Sequence, residues 1–587
     1  MIRYRVEPAD LHGHHFLVTL TVPQPAQLQV LSLPVWINGS YMVREFGRHL
    51  SGLQARQGRR SVALRQLDKT TWEAACSGRG ALVLTYRVYA FDTSVRAAFL
   101  DSRRGFFNNT SLCLRVHGRE AGVHRLELAR LPRGWQVATA MPAAADGTPL
   151  AFEAGGYDEL VDHPFELGAF WRGSFEAGGV PHEFIVAGAL PGFDGERLLA
   201  DARRICDAQI RFWHGEEGSR APFDRYVFLL NTVEDGYGGL EHRASTALIA
   251  GRRDLPRAGM DGSKGSISDG YLTLLGLISH EYFHTWNVKR LKPAELASVD
   301  WQRENHTELL WFFEGFTSYY DELFLQRSGL IDAPRYLKLL AKTVNTVAAT
   351  PGRTVQSVAA ASFDAWVKYY RSDENTPNST VSYYLKGALV ALCLDLTLRQ
   401  RGRSLDALMR SLWQRSGGGP VTEGDIADAL AALVPGEAGR RLVADLHGWV
   451  HGTGELPVTT LLDAAGVAAR PERAGFAAAL GLRLSEGPVS GVQVKSVLAG
   501  SPAQAAGVSA GDELLAVDGW RIRRLDDALA WLRPGAPFDL LLVRDQRVLT
   551  LTVQPEPDGP LAGTLALQLQ DSPLKAAAAR RRDWLGV

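Results

Sequence analysis

The sequence predicts a multidomain α+β protein with a β-rich first part, an α-rich middle part and a small mixed module near its C-terminus. The chain has 587 residues, more than one hydrophobic core normally accommodates. Its apolar pattern changes from strand-like runs to helical spacing at about residue 195 and returns to short strand patterns after Pro457. Its 46% apolar and 22% charged content are those of an ordinary globular protein.

Strand-like patterns dominate the first part of the chain. HFLVTLTV (residues 15–22) and RGALVLTYRVYAF (residues 79–91) are rich in β-branched and aromatic residues, and Gly and Pro residues separate such runs. No long helical pattern occurs before about residue 190. Residues 1–172 are therefore predicted to form an N-terminal β-sandwich-like domain.

Helical spacing dominates the middle part, residues 173–460. One helix begins near Asp194 or Gly195, and the short buried strand RYVFLLNTV follows it. Further helices are predicted at 271–290, 305–328, 334–348, 381–400 and 404–415, with two more before Pro457. This pattern indicates an α-rich domain with a small sheet near its beginning.

A third module is predicted at residues 473–558, in the order β, β, short helix, β, β, helix, β, β. Asp518-Gly519 between two strand patterns indicates a hairpin turn. Ser501-Pro502 indicates a helix start with proline at the first helical position. Residues 559–587 form a C-terminal tail in this prediction, with LKAAAARRRDW as a candidate helix.

The overall composition excludes several functional classes. Lys plus Arg and Asp plus Glu number 64 each, and no basic stretch interleaves with aromatic residues, which argues against a nucleic-acid partner. No run of eighteen apolar residues occurs, so no membrane span is predicted, and the polar N-terminus lacks the apolar segment of a signal peptide. Cys76, Cys113, Cys206 and Cys393 lie far apart, without metal-like spacing, and are predicted to be reduced core residues. A cytoplasmic location is therefore expected.

The segment LLGLISHEYFH places His280 and His284 four residues apart, with Glu281 directly after the first histidine. On a helix the two histidines project from one face, one turn apart, and both imidazoles can reach a single zinc ion. Glu281 is offset by one residue, which suits a general base acting on a water molecule. A structural alternative is a helix with two histidines at the edge of the core and an exposed glutamate.

A catalytic zinc ion requires a third protein ligand, and the downstream candidates are Glu304, Glu308, Glu314, Asp321 and Glu322. Glu314 lies within WFFEGF, among aromatic residues where an unpaired carboxylate would be costly to bury. A zinc ion would compensate that charge, so Glu314 is the predicted ligand. The alternative is a salt bridge between Glu314 and an arginine.

Three separated segments, LPVWINGSYMVREFGRHL, HEYFHTWNVKRLKP and WFFEGFTSYY, resemble the glycyl aminopeptidase family of zinc metallopeptidases. The resemblance extends over essentially the whole chain. It implies an N-terminal β-domain, a thermolysin-like catalytic domain and a C-terminal PDZ domain. It also implies a preference for small N-terminal residues, for which no pocket residue is identified in the sequence.

Gly238-Gly239-Leu240-Glu241-His242 resembles the Gly-Ala-Met-Glu-Asn segment of the related alanyl-type aminopeptidases. The resemblance implies that this strand pairs with the substrate backbone through Gly238 and Gly239 and that Glu241 binds the free α-amine. Leu240 and His242 depart from the pattern. A glycine-rich turn without a substrate role is the alternative.

Tyr384-Leu385-Lys386-Gly387 matches the Tyr-x-Lys-Gly segment of the same enzymes. The resemblance implies that the Tyr384 hydroxyl stabilises the oxyanion, with Tyr383 as the fallback. Twenty-nine residues, 285–313, separate His284 from Glu314, more than in the alanyl-type enzymes. Within them, Lys289 or Arg290 could bind a peptide carboxylate, although a surface ion pair is the favoured interpretation.

AALGLRLSE and GSPAQAAGVSAGDELLAVDG resemble the carboxylate-binding loop and the following segment of a PDZ domain. The resemblance implies a site for a C-terminal peptide. A module that binds nothing and only packs on the peptidase is an equally weighted alternative.

Together these features predict an aminopeptidase with one zinc ion per chain that releases Gly or Ala from peptides with a free N-terminus. The catalytic prediction names Glu281 and Tyr384, the metal ligands His280, His284 and Glu314, and the substrate-binding residues Gly238, Gly239 and Glu241. The alternatives are a zinc endopeptidase assisted by the PDZ domain and a peptide-binding adaptor with a vestigial peptidase domain.

Overall fold

The computed structural model describes residues 1–215, 221–259, 267–487, 489–559 and 561–587. The chain divides into two compact units, residues 1–305 with 413–420, and residues 306–412 with 421–587. The first boundary falls inside the region predicted as the peptidase domain.

Up to residue 305 the described chain is mainly β-structure with two long helices. Its strands and helices are β1 (Ile2–Asp10), β2 (His15–Val22), β3 (Leu28–Ser32), β4 (Leu50–Gln57), β5 (Arg60–Ser61), β6 (Leu64–Gln66), β7 (Thr71–Ala75), β8 (Leu82–Tyr89), β9 (Ala98–Leu100), β10 (Arg104–Asn108), α1 (Asn109–Leu112), β11 (Arg115–Val116), β12 (His124–Leu128), β13 (Gln136–Ala138), β14 (Ala151–Ala154), α2 (Tyr157–Val161), β15 (Pro164–Gly168), β16 (Trp171–Ala177), β17 (Val180–Ala187), α3 (Gly195–His214), β18 (Tyr226–Val233), β19 (Gly238–Glu241), β20 (Ser245–Gly251) and α4 (Asp269–Phe283).

The N-terminal β-rich domain is built from three sheets. In the described chain their strand orders are β14-β12-β1-β2-β8-β4-β5, β13-β15-β10-β9 and β11-β3-β7-β6. Strand β2 shows why the sequence forms this layer: Phe16, Val18, Leu20 and Val22 alternate with less buried residues and face the core. The predicted β-rich first part is confirmed.

A separate sheet, β16-β17-β18-β20-β19, follows this domain. Strands β17, β18 and β20 are parallel, and β18 is almost wholly buried because its continuous apolar run lies between neighbours on both sides. Strand β19 pairs antiparallel with β20 and is the last strand at its edge of the sheet. This edge strand is the one that contains the Gly-Gly-Leu-Glu segment.

Helices α3 and α4 begin at side-chain caps. The Asp194 carboxylate accepts a hydrogen bond from the Arg197 backbone N–H, as predicted for that helix start, and Ser268 caps α4 in the same way. The predicted helix 271–290 is wrong beyond Phe283. His284 is the C-cap, and its carbonyl accepts hydrogen bonds from the N–H groups of Val288 and Lys289, which closes a series of turns instead of a further helical turn.

After residue 305 the described chain is mainly helical and ends in a small β-module and a helix. Its elements are α5 (Leu310–Phe313), α6 (Gly315–Arg327), α7 (Ala333–Ala348), α8 (Val358–Phe363), α9 (Thr376–Ser379), α10 (Tyr383–Arg399), α11 (Leu405–Ser416), α12 (Glu423–Leu433), α13 (Glu437–His451), α14 (Val458–Ala464), β21 (Val467–Arg473), α15 (Phe476–Ala479), β22 (Leu482–Gly487), β23 (Gly491–Val497), α16 (Pro502–Ala506), β24 (Glu513–Val517), β25 (Trp520–Arg521), β26 (Phe538–Arg544), β27 (Arg547–Val553), β28 (Gly563–Leu569) and α17 (Lys575–Leu585).

The helices predicted from periodicity are confirmed at α7, α10, α11, α12 and α13. The prediction of one helix over 305–328 is wrong, because α5 and α6 are separate helices that meet at Glu314. Helices α8, α9 and α14 were not predicted, and each is only four to seven residues long.

From β22 onward the C-terminal module has the predicted order of elements, except that the helix between β25 and β26 is a 3₁₀ helix, Leu525–Ala530. The short helix α15 before β22 was not predicted. Asp518 and Gly519 both have positive φ angles, 49° and 80°, in the hairpin between β24 and β25. Ser501 caps α16, and Pro502 follows it as predicted. Strands β21 and β28, which flank the module, pair antiparallel from Val467–Leu569 to Arg473–Gly563.

Helix α17 packs onto the helical part of its unit. The Trp584 indole N–H donates to the Tyr319 hydroxyl at 3.0 Å, and Arg399 donates to the Asp583 carboxylate at 2.5 Å. All four cysteines are buried and unlinked. In the described part of the chain, no helix combines the length and apolar character that a membrane span requires.

Candidate metal and substrate site

His280 and His284 lie one turn apart at the C-terminal end of α4. Their ring centroids are 4.6 Å apart, and the rings are nearly perpendicular. His284 is the C-cap but keeps right-handed helical backbone angles, and its N–H donates to the His280 carbonyl at 3.2 Å. The spacing predicted for two ligands on one helix face is therefore present although the helix ends at Phe283.

The His284 ring is oriented by a backbone group. Its Nδ1 lies 2.7 Å from the Asn287 carbonyl oxygen, which can only accept, so Nδ1 carries the proton. The Nε2 atom is then the one with a lone pair for a metal ion. The turns after α4 supply this carbonyl, so part of the segment 285–313 supports the histidine.

Glu281 is 5% exposed and lies under the glycine strand β19. A Cβ on Gly239 would overlap the Glu281 carboxylate, because the strand backbone runs directly against that side chain. Only glycine fits at this position without displacing Glu281. The predicted strand residue and the predicted base are thus neighbours.

Glu241 is 4% exposed, and its Oε1 has no hydrogen-bond partner among the described residues. One potential ligand atom each from Glu241, Glu281 and His284 lies within 4.8 Å of the others. Since Gly239 and Glu241 are two residues apart on a strand, their side-chain positions face the same side, toward Glu281. A buried carboxylate oxygen without a partner is costly and requires a cation or a donor.

The backbone of β19 presents two residues at its free edge. His242 N–H donates to the Ser245 carbonyl at 2.9 Å, so every second residue of β19, counted back from His242, is hydrogen-bonded to β20. By the alternation of an antiparallel ladder, the N–H and C=O groups of Gly239 and Glu241 point away from β20. An extended peptide can use such groups for pairing.

Tyr282, next to Glu281 on α4, is anchored to strand β17. Its hydroxyl is 2.8 Å from Nε2 of His182 on β17, and Nδ1 of His182 is 2.8 Å from the Val180 carbonyl. Burial lowers the pKa of His182 to about 4, so the ring is neutral near pH 7. Nothing in the sequence around His182 marks this support.

Glu314 and Tyr384 belong to the second unit. Glu314 is 2% exposed and lies at the junction of α5 and α6. Burial, with the charge of Glu314 added, raises the pKa of Tyr384 well above its ordinary value and keeps its hydroxyl protonated. The Tyr384 hydroxyl is 3.3 Å from that of Tyr370, a neighbour that the sequence analysis did not identify.

Tyr384 and Tyr383 differ in accessibility. Tyr383 has no exposed surface, whereas Tyr384 is part-exposed. The glycine after Lys386 has a packing reason: a Cβ on Gly387 would lie 2.6 Å from the Trp311 carbonyl oxygen and 2.9 Å from the Gly315 Cα. Gly315 and Gly387 therefore allow α10 to approach α5 and α6 at backbone distance.

Lys289 and Arg290 are held within the protein instead of at its surface. Lys289 is 6% exposed and pairs with Asp162 at 2.8 Å, so the ion pair exists but is buried. Burial opposes the charge of Asp162, but Lys289 and His242 beside it leave its pKa well below the usual range. Arg290 donates to the backbone carbonyls of Arg243, Thr285 and Pro222.

These residues line a cavity of about 790 Å³ in the first unit. Its wall includes His242, Lys289, Arg290, Lys292 and Asn38 but not Glu241, His280 or Glu281. His242 and Glu241 are adjacent strand residues, whose side chains leave on opposite faces of the strand. The cavity is therefore separate from the side of β19 that faces Glu281.

In the C-terminal module, the predicted carboxylate-binding loop lies at Leu480–Arg483, between α15 and β22. The N–H groups of Leu480 and Gly481 donate to the carbonyls of Phe476 and Ala478. Two backbone donors of this loop are thus used within the module. Strand β22 is the last strand at its edge of the described sheet, and it pairs with β23.

Family models match three regions of the chain. Residues 3–169 match the Peptidase M61 N-terminal domain, residues 273–390 match the M61 glycyl aminopeptidase, and residues 493–544 match a PDZ domain. A segment of 79 residues is 44% identical to a protein of Clostridium perfringens (strain 13 / Type A) that is named as a zinc metalloprotease. This segment is 13% of the present chain and spans only 23% of that relative.

Two solved structures are similar to the chain. An aminopeptidase N family protein from Idiomarina loihiensis is 36% identical, has a TM-score of 0.92, and is matched over 100% of both chains. The M1 zinc metallopeptidase from Deinococcus radiodurans is 14% identical, with a TM-score of 0.46 over 78% of this chain and 94% of that one. The two M61 models and the full-length structural relative show that the chain belongs to the M61 glycyl aminopeptidase family and carries a PDZ domain.

Proposed function

We propose that this protein is a zinc-dependent aminopeptidase that releases small N-terminal residues, Gly or Ala, from peptides. The observation that supports this most directly is the buried Glu241 carboxylate, whose Oε1 lacks a partner among the described residues and which lies beside Glu281 and His284. A substrate ammonium group is the cation that would satisfy it. The preference for Gly and Ala rests on the family, not on a pocket residue.

The residues at the end of α4 fit a zinc ion. His284 directs its Nδ1 proton at the Asn287 carbonyl, so Nε2 is the nitrogen whose lone pair can ligate a metal ion, and the His280 ring is 4.6 Å away between centroids. From the sequence pattern, His280, His284 and Glu314 are the proposed ligands of one zinc ion per chain. When bound, zinc would supply Lewis-acid activation of water and of the scissile carbonyl.

The chain's own residues would carry out the remaining steps. A Glu281 carboxylate oxygen takes the proton of the attacking water and passes it to the leaving amine. Glu241 holds the α-ammonium group, and the free edge of β19 at Gly239 and Glu241 aligns the substrate backbone, while Gly238 pairs with β20. The Tyr384 hydroxyl, which burial keeps protonated, donates to the developing oxyanion. Tyr384 is preferred to Tyr383 because only Tyr384 has exposed surface.

For the PDZ domain we propose binding of the C-terminal segment of a peptide along the edge strand β22. The family match and the position of β22 at a sheet edge support this proposal. The internal use of the Leu480 and Gly481 N–H groups leaves fewer donors for a carboxylate. We therefore expect the strand edge to contribute more than the loop.

The central experiment measures zinc content together with hydrolysis of Gly-, Ala- and Leu-p-nitroanilide and of an N-acetylated peptide. We expect about one zinc per chain and cleavage of the free-amine Gly and Ala substrates only. The variant Glu241→Ala should lose most of this activity while it retains zinc. Cleavage of the blocked peptide would instead identify an endopeptidase, and a chain with neither zinc nor cleavage would be an adaptor.

A further inference from the structure

The N-terminal β-domain contacts the Glu241 strand at two points that the predicted catalytic set does not include. One contact is made by Gly39, in the turn after Trp36, and the other by Arg96, in the segment between β8 and β9. Both contacts lie within the first unit.

Gly39 lies directly against the Glu241 carboxylate. A Cβ on Gly39 would be 2.5 Å from both Oε1 and Oε2 of Glu241, so no side chain fits there while the carboxylate keeps its place. The φ angle of Gly39 is +93°, in the region that favours glycine. The turn is fixed by two hydrogen bonds, from Ser40 N–H to the Ile37 carbonyl and from the Trp36 indole to the Asp300 carbonyl.

Arg96 holds the other end of the same strand. Its Nη2 donates to the Gly239 carbonyl at 3.1 Å, one of the groups that point to the free edge of β19. The backbone on either side of Arg96 is clamped, because the Asn108 amide donates to the carbonyls of Val95 and Ala97. The guanidinium therefore approaches β19 from a fixed position.

The Gly39 contact fills the space on one side of the Glu241 carboxylate. Oε1 of Glu241 has no hydrogen-bond partner among the described residues. The carboxylate is thus backed by protein on the side of Gly39 and remains available to a cation from the side of Glu281. A wall of this kind would hold the carboxylate in place for an ammonium group and close the space on the far side of Glu241.

We propose that the N-terminal domain forms the closed end of the amine-binding subsite, with Gly39 as the wall behind Glu241 and Arg96 as the residue that positions the strand. This inference rests on the proposed aminopeptidase function. According to it, the β-domain and Glu241 together restrict the enzyme to substrates with a free N-terminus. Gly39 and Arg96 are positioning residues, because both act through the Glu241 strand.

The test is Gly39→Ala, with Gly78→Ala as the matched control. Gly78 has a φ of +83°, lies in the same domain and has no heavy atom within 4 Å of an added Cβ. Both variants carry similar backbone strain, but only Gly39→Ala displaces the carboxylate. We expect Gly39→Ala to raise KM for Gly-p-nitroanilide about tenfold or more with a smaller change in kcat, and Gly78→Ala to change neither.

A double variant separates this inference from the proposed function. In a Glu241→Ala background, Gly39→Ala should add little to KM, because its target is gone. If Gly39→Ala raises KM by the same factor in both backgrounds, or does not change KM, the proposed role of Gly39 as a wall behind Glu241 is wrong. If Glu241→Ala alone leaves KM for free-amine substrates unchanged, the proposed amine anchor fails, whatever Gly39 does.

Arg96→Gln gives a second measurement if Gly39→Ala does not fold. It removes the guanidinium hydrogen bond to Gly239, and the control Arg87→Gln changes an exposed arginine on β8 of the same domain. We expect Arg96→Gln to raise KM for free-amine substrates while zinc content and melting temperature match the control. An unchanged KM in Arg96→Gln would contradict the positioning role.

Discussion

Glu241 and Glu281 are two buried carboxylates whose oxygens lie within 4.8 Å of each other and of a His284 nitrogen. Like charges at this distance repel strongly when they are shielded from water. A zinc ion and a substrate ammonium group would relieve the repulsion from two sides. In the proposed function, the two roles of proton transfer and amine binding are divided between these neighbouring acids.

The first prediction concerns Glu281→Gln. The amide is nearly isosteric with the carboxylate but cannot accept a proton from water, so kcat should fall by about 10²- to 10⁴-fold. Zinc content and the affinity for a non-hydrolysed amine, such as free glycine, should stay close to those of the unchanged protein. Metal analysis and inhibition by glycine check this, and substantial retained turnover would rule out Glu281 as the base.

The second prediction concerns pH. The folded-state pKa of His182 is about 4, below its ordinary value of 6.5, because the ring is buried. The unfolded chain therefore binds more protons between these values, and folding stability should fall as pH decreases from 6.5 to 4, by about 3 kcal/mol from this residue. Denaturant unfolding at pH 7 and pH 4.5 measures the difference. His182→Gln should reduce it, and an identical pH dependence in this variant would contradict the assignment.

At the scale of single residues, the sequence predicts what side-chain spacing encodes. His280, Glu281 and His284 follow from one helix turn, and Glu314 stands out as an acid among aromatic residues. The groups that position them could not be predicted, because they are distant in the chain or belong to the backbone. No local sequence pattern predicts these positioning groups, which are the Asn287 carbonyl, His182, Gly39 and Arg96.

At the scale of elements, helices were predicted well where a long apolar stripe exists and poorly where a helix ends inside one. Apolar spacing continues past His284 and across Glu314, yet the chain leaves the helix at both points. Periodicity reports which residues are buried and not which backbone groups are paired. Both breaks fall at predicted ligands, so the site residues lie at helix ends.

The third prediction uses the glycine contact between helices. Gly387→Ala should destabilise the protein by about 1–3 kcal/mol, because a methyl group would meet the Trp311 carbonyl and the Gly315 backbone. Gly448→Ala, on the exposed side of α13 with no atom within 4 Å, should instead be neutral or stabilise by up to about 1 kcal/mol. Denaturant unfolding of both variants measures the contrast. Equal effects would show that the helices do not require this close approach.

At the scale of the whole chain, the order of a β-rich, an α-rich and a mixed part follows from the change in periodicity. The position of the mixed part, as an insertion between two paired strands, does not follow from it. Residues 559–587 were predicted as a tail with one candidate helix; the structure has helix α17 there and also strand β28, which was not predicted. A strand that pairs with β21, ninety residues earlier in the chain, leaves no local signal of its partner.

The fourth prediction follows from the insertion of the PDZ domain between the paired strands β21 and β28. Arg473 and Gly563 are paired neighbours, so residues 474–562 can be replaced by a two-residue turn that keeps β21, β28 and α17. We expect this deletion to leave the helical unit folded and Gly-p-nitroanilide hydrolysis within about threefold of the full chain. Trp584→Ala in the full chain should instead cost about 3–5 kcal/mol, since Trp584 is 2% exposed and bonded to Tyr319.

Melting temperatures and turnover of the two variants check this contrast, with Trp520→Ala as the control. Trp520 is 66% exposed within the PDZ domain, so its replacement should have little effect. A PDZ deletion that unfolds the helical unit would show that the module is an integral part of the fold instead of an inserted one.

The docking of Trp584 on Tyr319 also has a consequence for biosynthesis. The two residues are 265 positions apart, and the whole PDZ domain is translated between them. A ribosome that adds about 5–20 residues per second incorporates Trp584 roughly 13–50 seconds after Tyr319. During that interval the nascent peptidase lacks helix α17, which packs on Tyr319. Its folding can therefore be completed only after the PDZ domain has been translated, although that domain supplies no residue of the proposed active site.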